Sequence, residues 1–239
     1  MSLNPLTRAR GAGLHNGSAV TLRILSALLG YPDAALRSHL PEMAVLLEQE
    51  RALGGKRSGE LLALIASLEH TDPLDSEAAY VELFDRGRAT SLHLFEHVHG
   101  DSRDRGPAMI DLGQTYETAG LVLAAGELPD YLPAVLEFIS TQPTAEAKAF
   151  LGEIAHLLKG IFGALRQRES AYASVLGALL ELAGEKAEAV EPAPEPPLDE
   201  SWAEPVVFDG CSTQGQAKPG QPQPIHIVRK SSYAQGASS

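Results

Sequence analysis

Residues 80–112 read YVELFDRGRATSLHLFEHVHGDSRDRGPAMIDL, and no other part of the chain is as informative. Arginines, aspartates, histidines and aromatic residues are dense in this stretch, but they match no nucleophile, phosphate-loop or metal-ligand pattern. The stretch begins with Tyr80, Leu83 and Phe84 at positions i, i+3 and i+4, which is the spacing of one helix face. Charged and aromatic residues without a catalytic pattern indicate recognition of another protein.

Apolar residues at helical spacing continue on both sides of this stretch, from residue 19 to residue 190. We expect Pro41 to kink or split its helix and Asp75 to be the N-cap of the fourth helix. A fifth helix is expected from Pro107, and residues 144–183 are expected to hold two more. No segment alternates with period two for long enough to form a core strand. The sequence therefore predicts an all-α fold with a single helical-bundle domain.

The composition divides the chain into three regions. Residues 1–18 are expected to be a disordered N-terminal extension, and residues 19–190 form the predicted helical domain. Residues 191–239 are rich in Pro, Gln and Gly and hold half of the 16 prolines. Such a tail buries too little apolar surface to offset its ordering entropy, so we expect it to be disordered. A short apolar segment within it, residues 202–208, either packs back on the domain, which is favoured, or is a short interaction motif.

The formal net charge is −12. An acidic surface repels phosphate backbones, which argues against nucleic acid, and it favours a basic peptide or protein as partner. Between Arg105 and Lys148 the chain contains no lysine or arginine. The acidic residues of that interval are Asp111, Glu117, Glu127, Asp130, Glu137 and Glu146. Two interpretations stay open, a solvated face of the protein and a docking face for cations.

Cysteine content and hydropathy predict a cytoplasmic protein without direct membrane insertion. Cys211 is the single cysteine, and one cysteine makes no internal disulfide, so a reducing compartment is expected. No apolar run approaches the roughly 18–20 residues that a spanning helix needs. Residues 11–18 are polar and glycine-rich where a signal peptide would be apolar. Any link to a membrane is expected to run through a partner.

A histidine and carboxylate cluster is the one candidate for metal chemistry: Glu96, His97, His99 and Asp101. A structural zinc site uses four ligands, often including cysteine, and no cysteine is near. His97 and His99 at positions i and i+2 diverge on a helix or a strand, so they chelate poorly together. We therefore predict no catalytic residue, no metal and no cofactor. A metal-dependent enzyme that uses the His97/His99 loop is the alternative.

The same stretch contains four arginines: Arg86, Arg88, Arg103 and Arg105. Arginine pairs with carboxylates through two parallel hydrogen bonds, and acidic residues are close in sequence. An internal lattice of ion pairs that ties the loop at Gly100 to Asp85 or Glu96 is favoured, since a half-buried arginine is seldom unpaired. Direct contact between these arginines and a ligand is the alternative.

Aromatic residues lie in and beside residues 80–112 and the interval between Arg105 and Lys148, and most of them are expected in the core. A groove that takes an amphipathic helix needs an apolar floor and a charged rim, and this part of the chain can supply both. The residues predicted to bind a partner peptide are Tyr80, Phe84, Arg86, Phe95, His97, His99, Arg103, Arg105, Met109, Tyr116, Glu127, Asp130, Leu132 and Glu137.

Residues 80–112, together with ELPDYLPAVLEF at residues 127–138, resemble the assembly chaperones of respiratory nitrate reductase (NarJ type). Those chaperones belong to the all-helical group that includes TorD and DmsD, and the likeness covers most of residues 20–211. The resemblance implies a TorD-like helical bundle. The departures from the family pattern are residues 1–18 and the Pro/Gln-rich end of the chain.

The resemblance also implies a dedicated cytoplasmic chaperone. Such a protein binds the apo catalytic (alpha) subunit of nitrate reductase, chiefly through a basic amphipathic peptide at that subunit's N-terminus. It holds the subunit for molybdenum-cofactor insertion and governs its assembly with the membrane subunit. It carries no cofactor and is not part of the mature enzyme. Contact with cofactor-delivery proteins stays open, and a regulatory scaffold is the further alternative.

Overall fold

Leucine and alanine residues at helical spacing form ten α-helices within residues 17–100 and 102–188, the part of the chain that this computed structural model describes. The helices are α1 (Gly17–Leu28), α2 (Ala34–Glu50), α3 (Gly55–His70), α4 (Pro73–Phe84), α5 (Leu94–Val98), α6 (Arg105–Thr118), α7 (Leu132–Ser140), α8 (Thr144–Glu153), α9 (Ala155–Gln167) and α10 (Ala173–Ala183). A 3₁₀ turn, Arg88–Thr90, lies between α4 and α5. The described residues form no strand beyond an isolated bridge between His93 and Tyr131. The predicted all-α fold is therefore confirmed.

Helix α10 lies at the centre of the bundle. Its residues 173–180 are all buried, and it packs against α1, α3, α8 and α9. Helix α1 packs in turn against α2 and α7. Burial of the aliphatic side chains of these helices is the dominant favourable contribution to folding. None of the described helices has both the length and the hydrophobicity needed to cross a lipid bilayer.

Two polar contacts set how α1 lies against α7. The hydroxyl of Ser26, which is buried, donates to the carbonyl oxygen of Pro133 at 2.8 Å. Arg23 Nε donates to the hydroxyl oxygen of Ser140 at the other end of α7, at 3.2 Å. A buried polar group is costly unless it has a partner, so these bonds favour one alignment of the two helices over others.

Several predicted helix boundaries are wrong. Asp72, and not Asp75, caps α4: its Oδ1 accepts a hydrogen bond from the Leu74 N–H at 2.9 Å. Pro73 occupies the first turn of α4, where its missing N–H costs nothing, and Asp75 lies inside that turn. Helix α6 begins at Arg105, before Pro107, because the preceding turn already has helical dihedral angles.

The second helix is not split at Pro41, since α2 is continuous from Ala34 to Glu50, and a kink there stays a prediction. The buried side chains of Leu40, Met43 and Leu47 lie on one side of it, and their packing outweighs the local cost of the proline. Residues 144–183 hold three helices where two were expected, because the chain turns at Ile154 between α8 and α9.

The terminal regions fall largely outside the described residues. Helix α1 begins at Gly17, inside the extension predicted for residues 1–18. The rest of that extension lies outside the described residues. The tail at residues 191–239, its apolar segment at residues 202–208 and Cys211 also lie outside them.

Helix α6 lies at the surface beside α7. Within α6, which is described throughout, Tyr116 is the one buried residue. The Tyr116 hydroxyl donates to the Pro129 carbonyl at 2.8 Å, and its ring centroid lies 5.0 Å from that of Phe138 in α7. Most of α6 is therefore not covered by other described residues, while one aromatic residue anchors it to the bundle.

Candidate partner-binding surface

The chain following α4 meets the chain preceding α7 in a short antiparallel pairing. The Leu94 N–H donates to the Asp130 carbonyl at 3.0 Å, and the Leu132 N–H donates to the Leu92 carbonyl at 2.8 Å. These bonds place the two most distinctive sequence segments side by side. They also bring the side chain of Asp130 to the start of α5.

The carboxylate of Asp130 is fully buried and is held by three groups. Its Oδ2 accepts a hydrogen bond from the Phe95 N–H at 3.1 Å, and its Oδ1 lies 3.3 Å from His93 Nδ1. One guanidinium nitrogen of Arg105 lies 3.8 Å from Oδ2. The first N–H groups of a helix have no partner within the helix, so Asp130 serves α5 as a cap supplied from elsewhere in the chain. We call His93, Phe95, Arg105 and Asp130 the Asp130 cluster.

The Asp130 cluster changes the acidity of His93. The hydrogen bond to Asp130 is the largest influence and raises the pKa of the imidazole above its usual 6.5, while partial burial lowers it. The charge of Asp130 and the nearby Glu96 also raise this pKa, and Arg105 lowers it. Protonation of His93 therefore strengthens its contact with the Asp130 carboxylate.

The arginines of the central stretch serve different purposes. Arg105 lies 3.5 Å from Glu96 as well as near Asp130, so the predicted internal ion pair is confirmed for this arginine. The guanidinium of Arg88 lies against Gly100, which has a φ of +52° and no room for a Cβ atom. Arg86, just beyond the end of α4, pairs at 2.7 Å with Glu82 in the last turn of that helix, and both side chains are exposed. These contacts tie the Gly100 loop to the 3₁₀ turn and to the Asp130 cluster.

The histidines proposed for metal binding are engaged in contacts of other kinds. His97 Nε2 lies 2.9 Å from the carbonyl oxygen of Ser91, and the His99 ring packs edge-on against Phe95 with centroids 5.4 Å apart. Glu96 is paired with Arg105. Among residues 17–100 and 102–188, no three His, Cys, Asp or Glu side chains form a group that could hold a metal ion.

Tyr80 and Phe84 lie in an aromatic cluster inside the bundle. The Tyr80 hydroxyl donates to the carbonyl of Leu29, just beyond the end of α1, at 2.7 Å and lies 3.3 Å from the Tyr131 hydroxyl. The Phe84 ring lies 4.8 Å from Tyr80 and 5.1 Å from Tyr172 between centroids. Burial raises the pKa of both the Tyr80 and the Tyr172 hydroxyls. These rings hold α1, α4 and the start of α10 together.

An open groove of about 500 Å³ lies between α6 and the end of α7. It is lined by Asp111, Gln114, Thr115, Thr118, Ala119, Phe138 and Gln142. Phe138 is only 7% exposed and packs between Tyr116 and Phe150, so it forms a fixed apolar floor. The hydroxyls of Thr115 and Thr118 donate to carbonyls one turn earlier in α6. The hydroxyl groups of these two threonines therefore need no acceptor from a bound partner.

Exposed aliphatic side chains cluster in the same part of the chain. Of the seven large apolar side chains that are exposed in the described residues, four lie between residues 98 and 128: Val98, Ile110, Val122 and Leu128. Val122 is 89% exposed and Ile110 is 62% exposed. Exposed aliphatic groups beside an apolar groove are typical of a protein-binding surface. We call residues 105–142, from α6 to the end of α7, the α6–α7 surface.

The α6–α7 surface carries a net negative charge. Asp111, Glu117, Glu127 and Glu137 are all exposed, and the surface has no lysine and, after Arg105, no arginine. Partial burial raises the pKa of the Glu137 carboxyl above its ordinary value, the charge of Glu127 raises it further, and Arg23 opposes both. Like charges held near each other create an electrostatic cost that a cationic partner would relieve.

The fourteen residues predicted to bind a peptide fall into three groups. Buried residues are Tyr80, Phe84, Tyr116, Asp130 and Leu132. Half-buried residues are Phe95, His97, His99, Arg105 and Met109. Exposed residues are Arg86, Arg103, Glu127 and Glu137. The buried group has the contacts of residues that hold the fold, and peptide contact by any of the fourteen stays a prediction.

The structure also brings forward residues that the sequence did not single out. His93 completes the contacts around Asp130 and belongs to no pattern visible along the chain, whereas Tyr131, which lies beside Tyr80, was visible only as one of the aromatic residues of this region. Ile110 and Val122 are exposed, although aliphatic residues near helices are ordinarily expected in a core. Asp111 was visible in the sequence only as one acidic residue of the interval that lacks lysine and arginine. That interval was the one sequence signal that could have pointed to the groove.

The fold defines the class of this protein as an all-helical bundle, and a solved structure shares it. A crystal structure described as a redox enzyme maturation protein from Archaeoglobus fulgidus matches with a TM-score of 0.53 and 18% identity. The match covers 74% of this chain and 99% of that chain. At this level of identity the likeness shows a shared fold, in agreement with the predicted TorD-like bundle.

The chain belongs to the nitrate reductase delta subunit family, whose sequence profile matches residues 43–177. It is 49% identical over 164 residues to the nitrate reductase molybdenum cofactor assembly chaperone NarJ of Escherichia coli K12, covering 69% of this chain and 70% of that protein. It is 31% identical over 162 residues to the protein described as NarJ of Bacillus subtilis 168, covering 67% and 86% respectively. These relatives are assembly chaperones, so the family resemblance and the prediction of a non-enzymatic protein are confirmed.

Proposed function

We propose that this protein is a dedicated cytoplasmic chaperone of respiratory nitrate reductase. It binds the apo catalytic subunit through a basic amphipathic peptide at that subunit's N-terminus and keeps the subunit open for molybdenum-cofactor insertion. It then supports assembly with the membrane subunit and is absent from the mature enzyme. The names of the relatives support the identity of the client, because both are described as nitrate reductase molybdenum cofactor assembly chaperones.

The observation that carries this proposal is the coincidence of acidic and aliphatic groups on the α6–α7 surface. A basic amphipathic helix needs an apolar strip to contact its apolar face and negative charges to contact its cations. Ile110, Val122 and the Phe138 floor supply the apolar part. Asp111 and Glu117 lie on the exposed side of α6 and supply part of the charge.

Charge has two further consequences for the client complex. Complementary potentials raise the association rate and disfavour acidic competitors, and both effects weaken as salt rises. Burial of one apolar face of a peptide is consistent with a dissociation constant near 1 μM, about −8 kcal/mol. Glu127 and Glu137 are mutually repulsive in the free chaperone, so a cation bound between them gains more than it would at an isolated carboxylate.

The test is calorimetric titration of the cognate catalytic subunit's N-terminal peptide into the full-length protein. The double variant Asp111→Asn/Glu117→Gln is compared with Glu48→Gln/Glu69→Gln, which removes two exposed charges from α2 and α3. We expect the first variant to weaken binding about fivefold or more and the second to leave it unchanged.

Three results would contradict the proposal. Absence of peptide binding by the wild-type protein would favour a regulatory scaffold, and a pull-down with the apo catalytic subunit would then separate the two functions. Equal weakening by both double variants would mean that only the overall charge matters. Affinity that does not change between low and high salt would remove the electrostatic part of the argument.

A further inference from the structure

A second cleft lies on a different part of the bundle, where α3 begins, α9 ends and α10 begins. Its volume is about 530 Å³, within the range of small-molecule sites. Leu64 and Phe162, both buried core residues, contribute to its lining together with alanine side chains. The cleft shares no lining residue with the groove between α6 and α7.

Cations line this cleft, although the chain as a whole is strongly acidic. Lys56 and Arg57 from α3 and Arg166 from α9 contribute three positive charges, and Glu60 contributes one negative charge. Lys56 and Arg166 are exposed, and no ion pair found among the described residues includes either of them. The lining therefore has an excess of positive charge that neighbouring carboxylates do not cancel.

Arg57 is held in a fixed position at the wall of the cleft. Its guanidinium pairs with Glu60 one turn later in α3 and lies 3.9 Å from Glu181 of α10. It also lies directly against Gly177, which has no side chain to displace it. Its Nε atom is buried without a hydrogen-bond partner among the described residues, but it is the atom nearest to Glu181. The charge of Arg57 is therefore shared with two carboxylates, and the unpaired positive charge of the lining lies on Lys56 and Arg166.

The turn before α10 adds one neutral donor. Ser170 and Ser174 line the cleft, and the Ser174 hydroxyl already donates to the Ala171 carbonyl at 2.7 Å. The Ser170 oxygen accepts a hydrogen bond from the Tyr172 N–H at 3.3 Å, so its own proton is left to donate. The first N–H groups of α10 are bonded to carbonyl oxygens of the preceding turn, so the helix end adds no free donor. The exposed cations and the Ser170 hydroxyl are therefore the groups that favour an anion.

We propose that this cleft binds a small phosphate ester that has an apolar or aromatic body. The phosphate contacts Lys56, Arg57 and Arg166, and the body lies against Leu64 and Phe162. A tetrahedral oxyanion matches the donors, because arginine and lysine are the usual protein ligands of phosphate. The apolar part of the lining distinguishes such a ligand from inorganic phosphate. This site is additional to the client-peptide surface and does not depend on it.

Phenyl phosphate is the probe, titrated into the full-length protein at constant ionic strength and followed by calorimetry. We expect it to bind more tightly than inorganic phosphate, which has no body, and more tightly than phenol, which has no charge. The variant Lys56→Gln/Arg166→Gln should weaken binding of phenyl phosphate about tenfold. Both residues are exposed, so the thermal unfolding temperature of this variant should stay close to that of the wild type.

The matched control is Arg86→Gln/Arg103→Gln, which removes two exposed arginines outside the cleft. It should bind phenyl phosphate as the wild type does. Equal weakening by the two double variants would overturn the proposal, because attraction to the overall charge would then explain the binding. Phenol binding as tightly as phenyl phosphate, or no binding of phenyl phosphate by the wild type, would also overturn it.

Discussion

The Oδ2 atom of Asp130 lies 3.1 Å from the backbone nitrogen of Phe95, a residue 35 positions earlier in the chain. This contact joins the start of α5 to the segment that leads into α7, and His93 and Arg105 complete it. A buried carboxylate is stable only when its partners are in place. The Asp130 cluster therefore links the two segments of the chain that best identify its family.

Replacement of Asp130 by Ala should lower the free energy of unfolding by about 3–5 kcal/mol, because it leaves His93 and Arg105 without their buried partner. Asp130→Asn should cost less, since an amide oxygen still accepts from the Phe95 N–H. Urea denaturation followed by circular dichroism measures both changes. An Asp130→Ala protein that unfolds at the wild-type urea concentration would show that the cluster does not stabilise the fold.

The contribution of His93 to stability should depend on pH. Its pKa is raised in the folded protein by Asp130, so folding favours the protonated form. The stabilisation is fully present below the unfolded-state pKa of about 6.5 and is lost as pH rises through the higher folded-state pKa. The difference in melting temperature between the wild type and His93→Gln should therefore be larger at pH 5.5 than at pH 8.5. A difference that grows with rising pH would contradict this assignment.

Arg103 and Arg105 should respond differently to replacement by alanine. Arg105 contacts Glu96 and Asp130, so Arg105→Ala should lower the free energy of unfolding by about 1–3 kcal/mol. Arg103 is exposed, and the ion pairs observed in the described residues do not include it. Arg103→Ala should therefore leave the melting temperature unchanged. Loss of peptide affinity in that variant would identify Arg103 as a direct contact, whereas loss of stability would show a structural role.

Glu137→Gln should make the protein more stable and a weaker binder at the same time. The raised pKa of Glu137 means that its ionised form is disfavoured in the folded protein. Removal of the charge should raise the melting temperature at pH 7, and the gain should vanish below pH of about 4.5, where the carboxyl is protonated in both states. Peptide affinity should fall, because a contact for cations is lost.

Glu146→Gln in α8 is the matched control for that variant, since Glu146 is also an exposed glutamate and lies outside the α6–α7 surface. It should change neither the melting temperature nor the peptide affinity. If Glu137→Gln raised stability and bound the peptide as tightly as the wild type, Glu137 would be excluded as a contact with the client.

Periodicity along the chain was enough to predict the helices, because a helix is stabilised by neighbours three and four residues apart. Periodicity did not identify which of two nearby residues caps a helix, as with Asp72 and Asp75 at the start of α4. Contacts between distant residues leave no periodic trace, so the pairing of Asp130 with His93 could not be predicted. Residue type also could not separate Tyr80, which is buried, from Val122, which is exposed.

The sequence predicted the charge of the candidate surface but not which of its residues are exposed. The interval between Arg105 and Lys148 predicted a negative surface on α6 and α7, since a run without cations is negative wherever it is exposed. Its use as a docking face stays a prediction. Tyr116 and Leu132 were then chosen because aromatic and aliphatic residues commonly bind peptides, but in the folded protein they are buried. Exposure depends on packing by other helices, which the local sequence does not contain.

The most direct test of the central claim locates the client peptide on the full-length chaperone. A nitroxide spin label on the N-terminal peptide of the catalytic subunit broadens the amide resonances of nearby chaperone residues. We predict that broadening is strongest within residues 111–119 and 138–142, which contain the residues that line the groove, and extends to Val122. Strong broadening on α2 and α3, with the resonances of residues 111–119 unaffected, would contradict it.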